Sequence, residues 1–286
     1  MMRKMQPMEV GVVFWTGGEL GEERPAAEIA EAVTSLGVRC GQLAIHGGAD
    51  LSEESRAAWA QAIAVNDLAV ATAVVAFTGE SYADAAAVDR TVGYGPAATR
   101  GEREQRTYEV SDFAAKLSIP GLATHIGAIP RDAGDPGHRE MRDLVRRLCD
   151  HCASRNQTFA LETGQESAME LKRFIVEVDR ENLKVNFDPA NMLMYGSGDP
   201  IQALGTVGQW VVTVHCKDGV GPTQPGQLGH ETPLGEGQVG MERFVAKLRE
   251  IGYQGPLVIE REILGEAQRK DIRQAIALLN LLRLPS

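Results

Sequence analysis

Short, largely apolar segments rich in β-branched residues recur along the chain, and longer segments of helical character separate them. The segments predicted as strands are Glu9–Trp15, Arg39–Ile45, Leu68–Phe77, Gly121–Ile126, Thr158–Glu162, Leu183–Asp188, Val211–Cys216 and Leu257–Glu260. The segments predicted as helices are Pro25–Leu36, Glu53–Asn66, Ala97–Leu117, His138–Asn156, Glu166–Glu177, Pro200–Gln209, Met241–Ile251 and Glu266–Leu282. A strand–helix unit thus recurs about every 36 residues, as in an α/β fold.

This alternation predicts a parallel sheet that helices cover on its outer side. Eight units within 286 residues match the size of a closed (β/α)8 barrel, the TIM barrel. An open, doubly wound sheet is the alternative, but it usually carries a glycine-rich phosphate turn after an early strand. No such turn follows Glu9–Trp15, so we expect a single-domain α/β barrel over residues 1–286.

Two connections are longer than the others, and both follow predicted strands. Thr78–Thr99 comes after the third strand and Asp218–Gly240 after the seventh. Active sites of such barrels are built at the carboxyl ends of the strands. Because long loops in compact domains are usually functional or disordered, we interpret both connections as lids over a site.

The composition limits which binding partners and which cellular compartment we expect for the protein. Apolar residues make up 43% and charged residues 24%, which is typical of globular proteins, and the net charge of -10 disfavours nucleic acid. The most apolar run, Leu68–Phe77, is too short to cross a bilayer, and Val10–Trp15 is too short for a signal-peptide core. The four cysteines form no secreted-type framework, so we expect a soluble, cytoplasmic protein without a membrane partner.

Each of the last four predicted strands ends in a side chain that can bind a metal. These residues are Glu162, Asp188, His215 and Glu260, and a large apolar residue precedes each of them. Since neighbouring side chains on a strand face opposite ways, all four should point into the barrel mouth. Crowded carboxylates repel one another, and a divalent cation removes that penalty. Three oxygen ligands and one imidazole suit Mn²⁺, Mg²⁺, Co²⁺ or Zn²⁺; unrelated polar strand ends are the alternative.

The sequence around these four residues resembles the xylose isomerase-like TIM-barrel superfamily, in particular its sugar phosphate isomerase/epimerase branch. The motifs that carry the resemblance are Leu161-Glu162-Thr163-Gly164-Gln165-Glu166, Asn186-Phe187-Asp188-Pro189-Ala190-Asn191, Val214-His215-Cys216-Lys217-Asp218, Pro233-Leu234-Gly235-Glu236-Gly237 and Val258-Ile259-Glu260-Arg261-Glu262. The resemblance is strongest over residues 120–265. It implies that Glu162, Asp188, His215 and Glu260 bind a divalent metal ion.

The resemblance also implies a reaction, in which Glu162 and Glu260 act as acid and base. One glutamate removes a proton beside the substrate carbonyl, and the other returns it on the opposite face through a cis-enediolate. The expected substrate is a small sugar or sugar phosphate, and a homo-oligomer is a candidate assembly state. Epimerisation, aldose–ketose isomerisation and dehydration of the inosose type share this chemistry, and the sequence leaves all three open.

Four further residues are candidates for substrate binding: His125, Gln165, Asn191 and Lys217. His125 ends the fourth strand and should point inward, and Gln165 follows the turn after Glu162. Asn191 stands where many epimerases carry a second histidine. Lys217 shares a strand face with His215, so it could bind a substrate oxygen or phosphate, or pair with a carboxylate. His46 and Trp15, which end the second and first strands, are weaker candidates.

Two hypotheses from other functional classes compete with the hypothesis of a sugar enzyme. An apurinic endonuclease-like DNA-repair nuclease has a related barrel, but it needs a histidine where Asn191 stands and an Asp-x-His motif before the last strand. His230 is the only histidine between the seventh and eighth predicted strands, and it is not part of such a motif. The acidic net charge also opposes DNA binding. The other hypothesis is a barrel that binds a polyol or sugar without turnover; such a protein has no need for both acid/base-capable glutamates.

Overall fold

The computed structural model describes residues 5–17, 24–224 and 226–284, while the other positions of the expected 1–286 domain lie outside the described residues. The strands are β1 Val10–Trp15, β2 Cys40–Ile45, β3 Ala69–Val75, β4 Gly121–Thr124, β5 Thr158–Glu162, β6 Leu183–Phe187, β7 Val211–Cys216, β8 Asp218–Val220, β9 His230–Thr232 and β10 Leu257–Ile259. The helices are α1 Ala26–Ser35, α2 Glu53–Val65, α3 Ala85–Thr91, α4 Arg100–Lys116, α5 Pro136–Ala153, α6 Ala168–Val178, α7 Pro189–Tyr195, α8 Pro200–Val207, α9 Met241–Glu250 and α10 Gly265–Leu282.

Eight of the strands close into a parallel barrel, which confirms the predicted (β/α)8 fold. Their order around the ring is β1-β10-β7-β6-β5-β4-β3-β2, and β1 also pairs with β2 to complete the circle. The last strand joins the first in parallel register, with Val10 opposite Leu257 and Val12 opposite Ile259. Because a closed barrel has no free strand edge, every barrel strand finds two backbone partners.

The apolar core lies between the outer face of the barrel and the surrounding helices. Phe187 of β6 stacks on Phe244 of α9 with ring centroids 6.1 Å apart, and Phe14 of β1 meets Trp59 of α2 at 6.2 Å. β2 is buried along its whole length, as expected for strands covered on both faces. Among the described residues, none of the helices combines the length and apolar character that crossing a bilayer requires.

The structure adds elements where the sequence pattern predicts only connections. α3 lies within Thr78–Thr99, and β8 and β9 form an antiparallel hairpin within Asp218–Gly240. A further short helix, α7, follows β6 directly. Both long connections are therefore ordered over part of their length, and the barrel mouth is bordered by defined elements.

Asp218 organises the connection that contains the hairpin. Its two carboxylate oxygens accept four backbone N–H groups, at 2.9–3.1 Å, from Gly219, Gly235, Gly237 and Val239. A Cβ atom at position 237 would lie 2.2 Å from an Asp218 oxygen, so the close approach requires glycine there. The hairpin is thus tied to the end of β7, beside the four candidate metal ligands.

Candidate metal centre

The four predicted metal ligands meet at the carboxyl end of the barrel. Glu162 is the last residue of β5, His215 lies in β7, and Asp188 and Glu260 directly follow β6 and β10. These strands are consecutive around the ring, and one ligand atom from each residue lies within 4.8 Å of all the others. The structure therefore brings together the whole predicted set.

His215 stands at the middle of this cluster and is fully buried. Its Nδ1 atom lies 3.4 Å from Glu162 Oε1, 3.4 Å from Asp188 Oδ2 and 3.1 Å from Glu260 Oε2. Within the described part of the chain, His215 Nδ1 and Asp188 Oδ2 have no hydrogen-bond partner although both are buried. Buried polar atoms are normally satisfied, so two such atoms facing each other indicate a place for a bound group.

The donor set fits a divalent cation. Three carboxylates and one imidazole supply oxygen and nitrogen ligands, which suit Mg²⁺, Mn²⁺, Co²⁺ or Zn²⁺. A cation there would also offset the mutual repulsion of three buried carboxylates. Glu162 and Glu260 keep 10% and 12% of their side chains exposed, so both reach the open mouth of the barrel.

A buried amide network fixes the orientation of the His215 ring. His215 Nε2–H donates to Gln42 Oε1 at 2.7 Å, and Gln42 Nε2 donates to Asn186 Oδ1 at 3.1 Å. Thr213 Oγ1 also donates to Asn186 Oδ1, at 2.6 Å, which fixes that amide as an acceptor. Asn186 Nδ2 also lies 3.1 Å from Nε2, but the shorter contact is with Gln42 Oε1, which can only accept, so we assign the proton to Nε2. Nδ1 is then the nitrogen available to a cation.

The first turn of α7 holds the carboxylate of Asp188 in a fixed orientation. It is the N-cap of α7, and its Oδ1 accepts the backbone N–H of Asn191 at 2.8 Å. The Thr163 hydroxyl accepts the backbone N–H of Asp188 at 2.7 Å and donates to its carbonyl at 2.9 Å. With Oδ1 committed to the helix, Asp188 presents Oδ2 to the cluster.

Burial and the neighbouring opposite charges shift the pKa values of these groups in opposite directions. Burial raises the pKa of Glu162, and Glu260 and Asp188 add to this, although His215 opposes it. Burial also disfavours the charge of Glu260, but His215 and Lys217 outweigh it and hold its pKa well below the usual range. Burial opposes protonation of His215, yet Glu260 and Glu162 raise its pKa well above the ordinary value. A cation would therefore compete with a proton on His215.

Lys217 and Asn191 form a second layer beside the cluster. The Lys217 ammonium is 2% exposed and lies 2.7 Å from Glu262 and 3.1 Å from Glu260. It also donates to Asn191 Oδ1 at 3.3 Å, while Asn191 Nδ2 donates to Glu162 Oε1 at 3.1 Å. Of the alternatives weighed for Lys217, the structure contains the carboxylate pairing.

His125 is buried at the mouth without a polar partner. It is 9% exposed, and within the described residues neither ring nitrogen makes a hydrogen bond. The rings of Tyr82 and Tyr195 lie 6.2 Å and 5.9 Å from it. A Cβ atom on Gly164 would approach His125 Nε2 to 2.6 Å, so glycine leaves room for this ring. Burial lowers the pKa of His125 to about 4, which keeps the imidazole neutral near pH 7.

The remaining candidates lie outside the four-residue cluster. Gln165 Nε2 donates to Asp89 of α3 at 3.0 Å, and Gln165 lines a cavity of about 500 Å³ together with Tyr195. Trp15 is 36% exposed and lines another cavity with Glu260. The backbone N–H of His46 donates to Thr16 at 3.4 Å, and the structure does not bring His46 to the cluster.

Several residues of the site were not found by sequence reasoning. Gln42, Asn186, Thr163, Tyr82 and Tyr195 carry the network and the rings described above. A signal existed for two of them, because Gln42 and Asn186 are amides within otherwise apolar strands, where a buried polar side chain needs a partner. No comparable signal marks the two tyrosines, since Tyr82 lies in a connecting segment and Tyr195 ends the short helix α7.

Comparison with known proteins places the chain in a family. The family model described as xylose isomerase-like TIM barrel matches residues 30–282. The chain belongs to this family. The match covers most of the barrel and confirms the resemblance carried by the strand-end motifs.

Solved structures resemble this xylose isomerase-like barrel over nearly its whole length. A xylose isomerase domain protein from Planctomyces limnophilus is 38% identical, with a TM-score of 0.90, over 97% of this chain and 98% of that one. The 3-keto-D-glucoside 4-epimerase of Escherichia coli is 18% identical, with a TM-score of 0.70, over 96% and 99%. A magnesium complex of a xylose isomerase-like TIM barrel protein from Mycobacterium smegmatis is 19% identical, with a TM-score of 0.68, over 98% and 97%.

The curated relatives are matched over part of their length only. The protein YihM of Escherichia coli (strain K12) is 27% identical over 156 residues, which make up 51% of this chain. The matched part spans 46% of YihM, so the chain covers about half the length of that relative. What these relatives do is therefore no guide to the whole of this chain.

Proposed function

We propose that this xylose isomerase-like barrel is a divalent-metal-dependent enzyme that isomerises or epimerises a sugar. The observation that carries the proposal is the convergence of Glu162, Asp188, His215 and Glu260 on one point at the barrel mouth. A bound cation would draw electron density from the carbonyl and hydroxyl oxygens of a sugar, which makes the neighbouring C–H more acidic. The name of the Escherichia coli 3-keto-D-glucoside 4-epimerase supports a carbonyl sugar as substrate.

Glu162 and Glu260 are the proposed acid and base. Both carboxylates approach His215 Nδ1, Glu260 from the end of the neighbouring strand β10 and Glu162 from β5, beyond β6 on the other side of β7. Both remain partly exposed at the mouth. In the proposed step, one carboxylate takes the proton from the carbon beside the carbonyl. The C–H electron pair forms a C=C bond, and the carbonyl π electrons move to oxygen, giving an enediolate. Return of a proton to the opposite face of the same carbon gives the epimer. If the proton of the neighbouring hydroxyl first moves to the enolate oxygen, return of a proton to the former carbonyl carbon gives the isomer, with the new carbonyl at the former hydroxyl carbon.

The surrounding residues would orient the sugar. We assign the neutral His125 imidazole to a substrate hydroxyl, because its unpartnered nitrogens offer one donor and one acceptor. Asn191 and Lys217 would hold Glu162 and Glu260 in place at the edge of the substrate. Gln165 is the proposed contact for a part of the substrate that extends toward Tyr195.

A repair nuclease is less well supported. Within the described residues, a single group of three or more potential metal ligands is found, and Asn191 rather than histidine stands three residues after Asp188. The acidic residues Glu231 and Glu262 lie close to the mouth beside Lys217, which is unfavourable for a phosphate backbone.

The test is solvent deuterium incorporation at the carbon beside the carbonyl, followed by NMR with Mn²⁺-loaded protein. The panel comprises ketoses, their phosphates and inososes, and loss of water would reveal dehydration. We expect Glu162→Gln and Glu260→Gln each to lower exchange by about 10²–10⁴-fold, since each removes a proton-transfer group. Glu266→Gln, which changes an 89% exposed glutamate on α10, is the matched control and should exchange as wild type does.

Two results would contradict the proposal. Full exchange in both single glutamine variants would exclude the two-carboxylate step. Undiminished exchange after exhaustive chelation would exclude a cation-assisted one.

A further inference from the structure

A second feature of the mouth is a cavity of about 450 Å³ that extends away from the metal centre. Glu260 and Tyr82 line it at the barrel mouth, and residues of α1 and α10 line it farther out. Its volume falls in the range of pockets that enclose a drug-sized ligand, about 300–1,000 Å³. Because Glu260 lines this cavity and also belongs to the candidate metal centre, the cavity borders the proposed catalytic site.

The walls of this cavity, which we call the side cavity, are mainly apolar. α1 contributes Ile29 and Val33, and the segment that enters α10 contributes Ile263 and Leu264. Leu264 is 52% exposed, although it is a large apolar residue. An exposed apolar surface around a concavity usually marks a binding site.

Two exposed aromatic side chains line the side cavity together with Glu260 of the candidate metal centre. Tyr82 is 50% exposed and Trp15 is 36% exposed, and both line the side cavity together with Glu260. Exposed aromatic rings favour flat or ring-shaped ligands, because stacking adds to the burial of apolar area. Their place beside Glu260 puts such a ligand next to the sugar position.

Three of the four arginines that line the side cavity lie near carboxylates. Arg261 lies 2.7 Å from Glu231 and 2.9 Å from Asp271, Arg24 lies 3.6 Å from Glu28, and Arg269 lies 3.7 Å from Glu266. The fourth is Arg273, and the same lining contains the carboxylates of Glu260 and Glu262. Most of the positive charge is therefore compensated locally, which favours an uncharged substituent over a phosphate group.

We propose that the side cavity binds the aromatic aglycone of a glycoside, so that the substrate is a carbonyl sugar linked to an apolar ring. The inference rests on the proposed function, since it places the sugar of that glycoside at the metal centre. The sugar lies between Glu162 and Glu260, and the aglycone passes Trp15 and Tyr82 into the space between α1 and α10.

The test compares two probes that differ only in the aglycone, 4-nitrophenyl and methyl β-D-glucopyranoside. Their binding to Mn²⁺-loaded protein is measured by isothermal titration calorimetry. We expect the aryl glycoside to bind at least about tenfold more tightly, because the ring leaves water for an apolar wall.

Variants locate the effect in the side cavity. Ala32 lines this cavity from an exposed position on α1, so Ala32→Phe should fill it. We expect this variant to bind the aryl glycoside about as weakly as the methyl glycoside, whose own affinity should not change. The matched control is Ala58→Phe, the same change at an exposed position on α2. If Ala32→Phe fails to fold, Leu264→Asp tests the same wall and should weaken aryl binding several-fold.

Equal affinities of the two glycosides, or equal effects of the two phenylalanine variants, would overturn the inference. So would concentration-dependent self-association that Ala32→Phe abolishes, because the side cavity would then be an interface between copies of the chain. Failure of the proposed function is a separate result, in which no sugar exchanges deuterium. Exchange from free ketoses together with equal glycoside affinities would overturn the aglycone site alone.

Discussion

The candidate metal ligand His215 is oriented by a residue that lies far away in the sequence. Gln42, 173 residues earlier, accepts the Nε2 proton from across the barrel and so leaves Nδ1 directed at the carboxylates. Partners of this kind set the tautomer and orientation of a ligating histidine, and their loss usually costs metal affinity.

At the residue scale, we predict that Gln42→Leu weakens Mn²⁺ binding by about 10–100-fold. Leucine has a similar volume but cannot accept the His215 proton, so the ring loses its fixed orientation. Calorimetric titration of Mn²⁺ into the apoprotein measures the change. Gln254→Leu, at an exposed position, serves as the control, and equal Mn²⁺ affinity in both variants would contradict the role of Gln42.

The sequence predicted the four converging side chains but not the residues that hold them. Side-chain alternation along a strand is a local rule, so Glu162 and His215 could be oriented from their apolar neighbours alone. The contact between Gln42 and His215 depends on the closed ring and on the relative shift of strands. It follows only from the three-dimensional fold.

At the element scale, the start of the short helix α7 lies next to the candidate metal centre and shares Asp188 with it. Asp188 follows the buried strand β6 directly and is the N-cap of this helix, whose first residue is Pro189. These start signals are present in the sequence, but a helix of seven residues carries too few apolar positions for a periodic pattern. The three-residue strands of the hairpin were missed for the same reason, whereas the long helices and the barrel strands were predicted.

We predict that Asp218→Asn destabilises the protein by about 2–3 kcal/mol, because an amide NH₂ would face backbone N–H donors that a carboxylate oxygen now accepts. Urea unfolding measures the loss, and hydrogen exchange should locate it at Gly235 and Gly237. Asp199→Asn, at the N-cap of α8, should cost less than about 0.5 kcal/mol because asparagine caps equally well. Similar losses in the two variants would argue against the special position of Asp218.

At the scale of the whole molecule, His125 links stability to pH. Its pKa is lowered from 6.5 in the unfolded chain to about 4 in the fold, since burial disfavours the imidazolium. Below pH 6.5 the unfolded state therefore binds more protons, and stability falls as the pH falls toward 4. Above pH 6.5 the imidazole is neutral in both states and the contribution is complete.

We predict that wild type loses about 2 kcal/mol more than His125→Gln between pH 7 and pH 5. Glutamine keeps a polar side chain but has no proton to gain in this range. Urea unfolding at the two pH values gives the comparison. Parallel losses in the two proteins would show that His125 is not the group responsible.

The architecture of the whole molecule was predictable because eight consecutive strand–helix units of this length typically form a closed (β/α)8 barrel. The side cavity was not, since it arises from the distance between α1 and α10, two helices at opposite ends of the sequence. The proposed aglycone site is therefore less accessible from the sequence than the candidate metal centre.

The closing strand has a consequence for synthesis of the protein on the ribosome. β10 lies between β1 and β7, so both of those strands keep an unpaired edge until residues 257–259 have emerged. Unpaired strand edges in partly synthesised chains favour aggregation. Glu260 follows this strand directly, so the nascent polypeptide contains all four candidate metal ligands only when the barrel can close.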